Sequence, residues 1–169
     1  MKYIEIEQKF LYSYIPYEEL NFRYKAVVTR KYISTEPMVS INERLLQNGK
    51  KRYYMTLKKG EFLVRNDLTT MISQENFEEI FNYLEEKPLI IDIYEFDFDA
   101  NHTISFKKVR DLNVEFAEIE YKDQKDFEEI SPQIASMPFF VKDVTWEQEY
   151  YVKNMWEQMI KLGEHGNKI

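Results

Sequence analysis

The sequence predicts a single α+β domain: an eight-stranded, mainly antiparallel β-barrel, closed or nearly closed, with helices packed outside. Three observations lead to this prediction. Apolar and polar residues alternate over eight stretches, as in strands that have two different faces. Turn residues separate several of these stretches, so neighbouring strands should run antiparallel. The 169 residues are enough for one domain with a substantial core, and we assign 1–169 to it.

The strand pattern is clearest at the start of the chain, where Ile4, Ile6 and Phe10 alternate with charged residues. Turn chemistry follows at 47–49 and 59–60. Closing eight strands into a barrel would remove exposed sheet edges, but an open sheet with its charged face in water also fits the pattern. The predicted strands cover the first dozen residues and then 26–33, 38–47, 51–59, 62–71, 88–98, 104–111 and 115–122.

Two longer helices are predicted from apolar residues at i, i+3, i+4 and i+7. One spans 73–86 with Ser73 as its N-cap, and the other spans 146–162, where Thr145-x-x-Gln148 reads as a capping box. Shorter helices are expected around 16–23 and 124–131, and a frayed tail over 163–169.

Composition excludes several classes of function. The chain has no cysteine and two histidines, which excludes thiolate chemistry and argues against a histidine-based metal site or triad. Its net charge of −7 argues against nucleic-acid binding, although a local basic cavity is compatible with it. Charges near the N-terminus and the lack of an apolar run of about 20 residues predict a cytoplasmic protein without membrane contact.

One acidic motif occurs twice. Glu5-Ile6-Glu7-Gln8-Lys9 opens the chain, and Glu118-Ile119-Glu120-Tyr121-Lys122 forms the last predicted strand. Residues two apart on a strand share a face, about 6.6–6.8 Å from each other. Four carboxylates brought together across a barrel would repel one another unless a hard cation such as Mg²⁺ or Mn²⁺ lay between them. The alternative is an ordinary solvated strand face.

Basic residues on the middle strands complement this acidic pair of motifs. Arg44, Lys58 and Arg65 would contact phosphate oxygens if they point into a barrel. If they point outward, they are ordinary surface charges.

Taken in chain order, these motifs resemble the CYTH superfamily, the triphosphate tunnel metalloenzymes, which includes class IV adenylyl cyclases, thiamine triphosphatases and inorganic tripolyphosphatases. The resemblance spans residues 3 to about 155. It is carried by Glu5–Leu11, Ser40-Ile41-x-x-Arg44, Tyr53–Lys58, Arg65, Ala117–Glu120 and Asp143-Val144-Thr145.

The resemblance implies roles for eight residues and a Mg²⁺ or Mn²⁺ cofactor. Paired glutamates would hold the metal, basic residues would hold a triphosphate, and Lys9 would contact phosphate, with a role as catalytic base conceivable. The implied metal ligands are Glu5, Glu7, Glu118 and Glu120, and the implied phosphate ligands are Lys9, Arg44, Lys58 and Arg65.

Several positions depart from the family pattern. Leu46, Ile91 and Ile93 stand where basic residues are usual, and Gln148 and Glu149 replace basic residues near the C-terminal helix. In the resemblance, Lys108 aligns with a metal-binding aspartate, so we expect it to add a cation to the phosphate site. An alignment shifted by two residues around 88–111 would alter the roles of Lys107, Lys108 and Arg110.

These features favour a weak, divalent-metal-dependent hydrolase of a triphosphate or related phosphate anhydride. The alternative is a catalytically degenerate CYTH-like module that binds a phosphorylated ligand or a protein. An adenylyl cyclase is less expected because no adenine-recognition pattern is evident. The expected partner is a small phosphorylated ligand, and the expected state is a monomer or homodimer.

Overall fold

In the computed structural model, which describes residues 3–60 and 63–166 apart from the side chains of Tyr3, Glu5, Glu164 and His165, eight antiparallel strands close into a barrel. This confirms the fold class predicted from alternation and turns. The strands are β1 (Tyr3–Tyr12), β2 (Asn21–Thr35), β3 (Met38–Leu46), β4 (Lys51–Lys59), β5 (Val64–Met71), β6 (Leu89–Asp97), β7 (Thr103–Val109), β8 (Val114–Tyr121) and the short β9 (Phe140–Asp143).

Strand β1 closes the barrel because it pairs on both edges. One edge pairs with β8, and the other pairs first with β5 and then with β9. Around the barrel the order is β1, β5, β4, β3, β2, β6, β7, β8 and back to β1. The first and last barrel strands are therefore neighbours, which brings the two acidic motifs side by side.

Strand alternation sorts side chains between the interior of the barrel and its outer face. On β1 and β8, Ile6, Phe10, Ala117 and Ile119 face outward into an apolar cluster that helix α2 (Gln124–Ala135) covers. Glu7, Lys9 and Glu118, which alternate with these residues, face inward.

Helix α1 (Gln74–Tyr83) covers the outside of β3 and β4, where Phe77 packs on Tyr53 with ring centroids 5.0 Å apart. The predicted N-cap is confirmed, since the Ser73 hydroxyl accepts a hydrogen bond from the Asn76 backbone N–H at 3.1 Å.

Helix α3 (Val152–Gly166) packs differently, because it covers inward-facing side chains at one end of the barrel. Met155 and Trp156 contact an apolar cluster that includes Val28, Ile91 and Phe116. We call these inward-facing apolar residues of β2, β6, β7 and β8 the apolar wall, defined by Val28, Tyr32, Leu89, Ile91, Ile93, Val109 and Phe116.

Four local predictions need correction. The helix expected over 16–23 is wrong, because turns at 17–19 lead directly into β2. The C-terminal helix begins at Val152, after a 3₁₀ turn at Gln148–Tyr150, and so Thr145 does not cap it. Strand β9 was not predicted. The frayed tail expected over 163–169 is wrong as far as Gly166, because the helix runs through that residue. Residues 167–169 of this predicted tail, and residue 62 of the predicted strand 62–71, lie outside the described residues.

No helix among the described residues has both the length and the apolar character needed to cross a bilayer.

Candidate active site

A cavity of about 600 Å³ opens inside the barrel at the end covered by α3. We call it the large cavity. Among the described residues, seven basic side chains but only three acidic ones line it, in a chain whose net charge is −7. The field inside the cavity therefore opposes that of the whole molecule and favours an anionic ligand. The basic residues are Lys9, Arg30, Lys58, Lys59, Arg65, Lys107 and Lys153, and the acidic ones are Glu7, Glu36 and Glu118.

Two carboxylates and one ammonium lie at the centre of the large cavity. Lys9 is opposite Glu118 in the β1–β8 register, two residues after Glu7 on the same face. The Lys9 ammonium lies 2.9 Å from Glu7 Oε1 and also donates to Glu118 Oε1. All three side chains are less than 10% exposed, so one carboxylate from each acidic motif meets the same buried lysine.

Two further cations flank this group. The Arg65 guanidinium donates through Nη2 to Glu7 Oε1 at 2.5 Å. The Lys107 ammonium donates to Glu118 Oε2. Lys9, Arg65 and Lys107 therefore surround Glu7 and Glu118, and we call these five residues the central ion cluster. It holds three positive and two negative charges.

The positive excess determines the protonation state of both glutamates. Burial raises the pKa of Glu7, but Lys9 and Arg65 outweigh it and hold that pKa well below its ordinary value. For Glu118, burial and the Glu7 charge raise the pKa, whereas Lys107 and Lys9 lower it, with a net result of about 2. Both carboxylates are thus ionised at neutral pH and act as hydrogen-bond acceptors.

The backbone of Lys9 is fixed by the segment that follows β9. The Thr145 hydroxyl accepts a hydrogen bond from the Lys9 backbone N–H at 3.0 Å and donates one to the Lys9 carbonyl oxygen at 3.3 Å. The Tyr151 hydroxyl donates to the Thr145 carbonyl at 2.8 Å. Thr145, expected as a helix cap, instead fixes the central lysine.

Aromatic rings enclose the Lys9 ammonium. It lies 5.0 Å from the Phe116 ring centroid and 5.4 Å from that of Tyr151. Ring faces attract cations, and the rings also exclude water from the ion pairs beside them.

Strands β4 and β5 place further polar side chains beside the large cavity. Lys58 pairs with Asp67 at 3.0 Å, and Asp67 accepts a hydrogen bond from the Thr69 hydroxyl at 2.9 Å. On the neighbouring strands, Arg30 donates to the Asn42 side-chain oxygen.

A second cavity of about 250 Å³ lies toward the opposite end of the barrel, and we call it the small cavity. Arg44 lines it and donates to the Tyr24 hydroxyl at 3.3 Å. Glu120 lines it as well, as does Glu95, which accepts a hydrogen bond from Ser105. The two cavities share Lys107 and Glu118, so that ion pair forms the boundary between them.

Solved structures with the same architecture exist, although no protein-family profile and no curated protein matches the sequence. The PH1819 protein from Pyrococcus horikoshii OT3 aligns with a TM-score of 0.66 and 17% identity, over 91% of this chain and 99% of its own. The inorganic triphosphatase NE1496 aligns with a TM-score of 0.57 and 19% identity, over 89% and 93%. A candidate adenylate cyclase from Bacillus halodurans aligns with a TM-score of 0.53 and 14% identity, over 89% and 98%.

The chain shares the closed β-barrel fold of these three solved structures. The fold implied by the sequence resemblance is thereby confirmed. At these identities the likeness concerns the fold, so the function of this barrel is inferred from the side chains inside it.

The tunnel brings together five of the predicted site residues and separates others. Glu7, Lys9, Lys58, Arg65 and Glu118 all line the large cavity. Arg44 and Glu120 face inward as well but line the small cavity. The backbone of Glu5 lies in β1 opposite Arg65, whereas its side chain lies outside the described residues.

The expectation that Lys108 lines the phosphate site is wrong. Lys108 lies on the outer face of β7, where its half-exposed ammonium pairs with Glu115 at 2.9 Å. Lys107, one residue earlier, points inward and takes the place expected for Lys108. The physical reason is the two-residue period of a strand, since a shift of one residue exchanges the two faces.

Sequence reasoning did not assign Lys107 to the site, although it named Lys107 as dependent on the register, and it missed Arg30 entirely. A signal for Lys107 was present: Ile104 and Phe106 are apolar and alternate with Thr103, Ser105 and Lys107, as expected if the apolar face packs on a helix. For Arg30 the neighbours Val28 and Tyr32 gave no such signal, because they are inward-facing and apolar.

The position of Ile91 and Ile93 agrees with expectation. Both face the barrel interior in the apolar wall, and both are less than 5% exposed. Positions 91 and 93 of β6, where the family resemblance implies basic residues, are therefore apolar and face the barrel interior.

Among the described side chains, no group of three or more histidine, aspartate or glutamate residues converges closely enough to hold a metal ion. The described part of the chain instead supplies two carboxylates, Glu7 and Glu118, which meet at the Lys9 ammonium.

Proposed function

We propose that this protein is a divalent-metal-dependent hydrolase of a triphosphate or related phosphate anhydride, with its active site in the large cavity. The observation that supports this most is the concentration of seven basic side chains around two buried, ionised glutamates. A polyphosphate is a small ligand with high negative charge, and such a cavity matches it in both sign and size.

Phosphate binding would rest on Arg65, Lys58, Lys107 and Lys9. Arginine offers a planar fork for two phosphate oxygens, and each lysine offers a compact charge. Each hydrogen bond to a charged oxygen is worth about 1.5–3 kcal/mol. Arg30, at the α3 side of the same cavity, would extend this set toward the terminal phosphates.

The donor set fits a magnesium or manganese ion that is bound together with substrate. Mg²⁺ is usually held by one or two carboxylates plus substrate phosphates rather than by a complete protein cage. Glu7 and Glu118 provide two such carboxylates, and we propose Glu5, two residues before Glu7, as a third. Glu120 lines the small cavity, so it would contact the metal ion only from that side. When bound, the ion would polarise a phosphoryl oxygen and orient the attacking water.

We assign Lys9 an electrostatic role. An ammonium that bridges two carboxylates has no lone pair to accept a proton, so it serves poorly as a general base. Held by Thr145 and two aromatic rings, it has a fixed position beside the glutamates. It can therefore stabilise negative charge that develops on a phosphoryl oxygen without reorganising.

The test is phosphate release from tripolyphosphate, ATP and thiamine triphosphate with Mg²⁺ or Mn²⁺. We expect metal-dependent release from at least one of them. Arg65→Ala should reduce kcat/KM by about 10- to 100-fold, because it removes a hydrogen bond to a charged oxygen. Lys108→Ala is the matched control, since it removes a cation from the outer face. Absence of release from all three substrates would contradict the proposal.

A second candidate is a catalytically degenerate binding module. The apolar wall favours it, because Ile91 and Ile93 leave one side of the barrel without phosphate ligands. It predicts calorimetric binding of tripolyphosphate to the large cavity without turnover. Cyclisation of a nucleotide is less favoured than either.

A further inference from the structure

We propose that Lys107 makes metal binding conditional on phosphate. Its ammonium, together with that of Lys9, occupies the carboxylates of Glu118 and Glu7 in the free protein. A divalent ion then binds tightly only when an anionic substrate draws Lys107 away. This inference rests on the proposed function and specifies the order in which its ligands bind.

The hydrogen bonds of the central ion cluster provide the first support. Glu7 Oε1 accepts from Arg65 and contacts Lys9, while the two oxygens of Glu118 accept from Lys9 and Lys107, one each. A metal ion and an ammonium cannot occupy the same position beside one carboxylate oxygen. Metal binding to Glu118 through the lone pairs to which Lys9 and Lys107 now donate therefore competes with these two ammonium groups.

Charge provides the second support. The central ion cluster has one net positive charge and is buried, so adding a free divalent cation would concentrate positive charge where solvent screens it poorly. A metal ion that arrives with a polyphosphate brings excess negative charge instead. The same cluster that opposes the free ion should therefore attract the metal–phosphate complex.

Lys107 rather than Lys9 is the residue able to move. The Lys107 side chain is 18% exposed and lines both cavities, whereas the Lys9 side chain is 3% exposed and lies between two aromatic rings. Phosphate oxygens in the large cavity would compete with Glu118 for the Lys107 ammonium. The carboxylate so released would then face the metal.

The direct test measures Mn²⁺ binding without phosphate, from the loss of the six-line electron paramagnetic resonance signal of the aqueous ion. Lys107→Met removes the charge while keeping a long side chain, and Lys108→Met makes the same change on the outer face. We expect Lys107→Met to bind Mn²⁺ about 10-fold or more tightly than wild type, with Lys108→Met like wild type. Equal affinity of the two variants, or micromolar Mn²⁺ binding by wild type alone, would overturn the proposal.

A second measurement on the wild-type protein covers the case in which Lys107→Met does not fold. The unfolding temperature is measured with Mn²⁺ alone, with the imido analogue of tripolyphosphate alone, and with both. We expect almost no shift with Mn²⁺ alone and a shift with both that exceeds the sum of the separate shifts. Additive shifts would contradict the inference.

The two proposals fail in different ways. If wild type binds Mn²⁺ tightly without phosphate but releases phosphate from tripolyphosphate, the binding order is wrong and the hydrolase stands. If Mn²⁺ and the analogue bind cooperatively but no substrate is hydrolysed, the binding order stands and the hydrolase is wrong.

Discussion

The two walls of the barrel interior are built from strands with the same alternation, but one packs against a helix and the other lines a cavity. The apolar wall on β2, β6, β7 and β8 packs against Met155 and Trp156 of α3 and excludes water. The charged wall, centred on β1, β5 and the middle of β8, holds the central ion cluster beside an open cavity. The inward residues of the apolar wall pack against a helix, whereas those of the charged wall line a cavity that a ligand can fill. A closed barrel can therefore combine a stable core with a binding site.

The largest effect is expected from the charged wall. Glu118→Gln keeps the shape but leaves Lys107 without its carboxylate partner and Lys9 with Glu7 alone, and it should lower the free energy of unfolding by about 3–5 kcal/mol. Urea denaturation measures this. Glu115→Gln removes a half-exposed carboxylate from the same strand and should cost about 1 kcal/mol or less. If both variants cost the same, the central ion cluster is not buried as described.

The apolar wall should respond in stability but not in ligand binding. Met155 is 1% exposed against this wall, so Met155→Ala should cost about 2–5 kcal/mol through the cavity it leaves. Tripolyphosphate affinity, measured by calorimetry well below the unfolding temperature, should change little. A large loss of affinity at unchanged folding would show that the two walls are not separate in function.

Acid should weaken the charged wall selectively. Both Glu7 and Glu118 have a pKa in the folded protein below the ordinary value of 4.5. The unfolded chain therefore binds more protons than the folded one. The free energy of unfolding should fall as the pH drops from about 5 toward 2, by about 1 kcal/mol per pH unit for each group. The stability difference between wild type and Glu118→Gln should shrink over this range. A difference that is constant with pH would exclude Glu118 as the source.

The smallest effect concerns the attachment of Lys9. Thr145 is 2% exposed, and its hydroxyl both accepts from and donates to the Lys9 backbone. Thr145→Val should cost about 1 kcal/mol in urea denaturation, and Thr145→Ser should retain the wild-type stability. Thr145→Asp separates this role from a helix cap, because aspartate caps a helix well but cannot donate to the Lys9 carbonyl. Full stability of the aspartate variant would restore the cap interpretation.

Sequence predicted the barrel well because its signals are local. Alternation and turn residues fix each strand. Closure was implied by the family resemblance, because the alternation alone also fits an open sheet. The C-terminal helix was misplaced because Thr145 is bound by β1, which lies 136 residues away in sequence and was invisible to a capping pattern.

Alternation also explains what could be predicted of the site. It places residues on a common face, and the family resemblance implied that the face with Glu7, Lys9, Arg65 and Glu118 points inward. It does not give the height along the barrel, and Arg44 and Glu120 face inward but reach the small cavity. Where two lysines are adjacent, as at Lys107 and Lys108, alternation cannot choose the face until the register is known.

The most direct measurement is a crystal structure of the protein soaked with tripolyphosphate and Mn²⁺. We predict phosphate oxygens in contact with Arg65 and Lys58 inside the large cavity, and an anomalous manganese peak beside Glu7 and Glu118 with Lys107 turned toward phosphate. Tripolyphosphate bound on the outer surface, with the large cavity filled by water and the central ion cluster unchanged, would contradict the account.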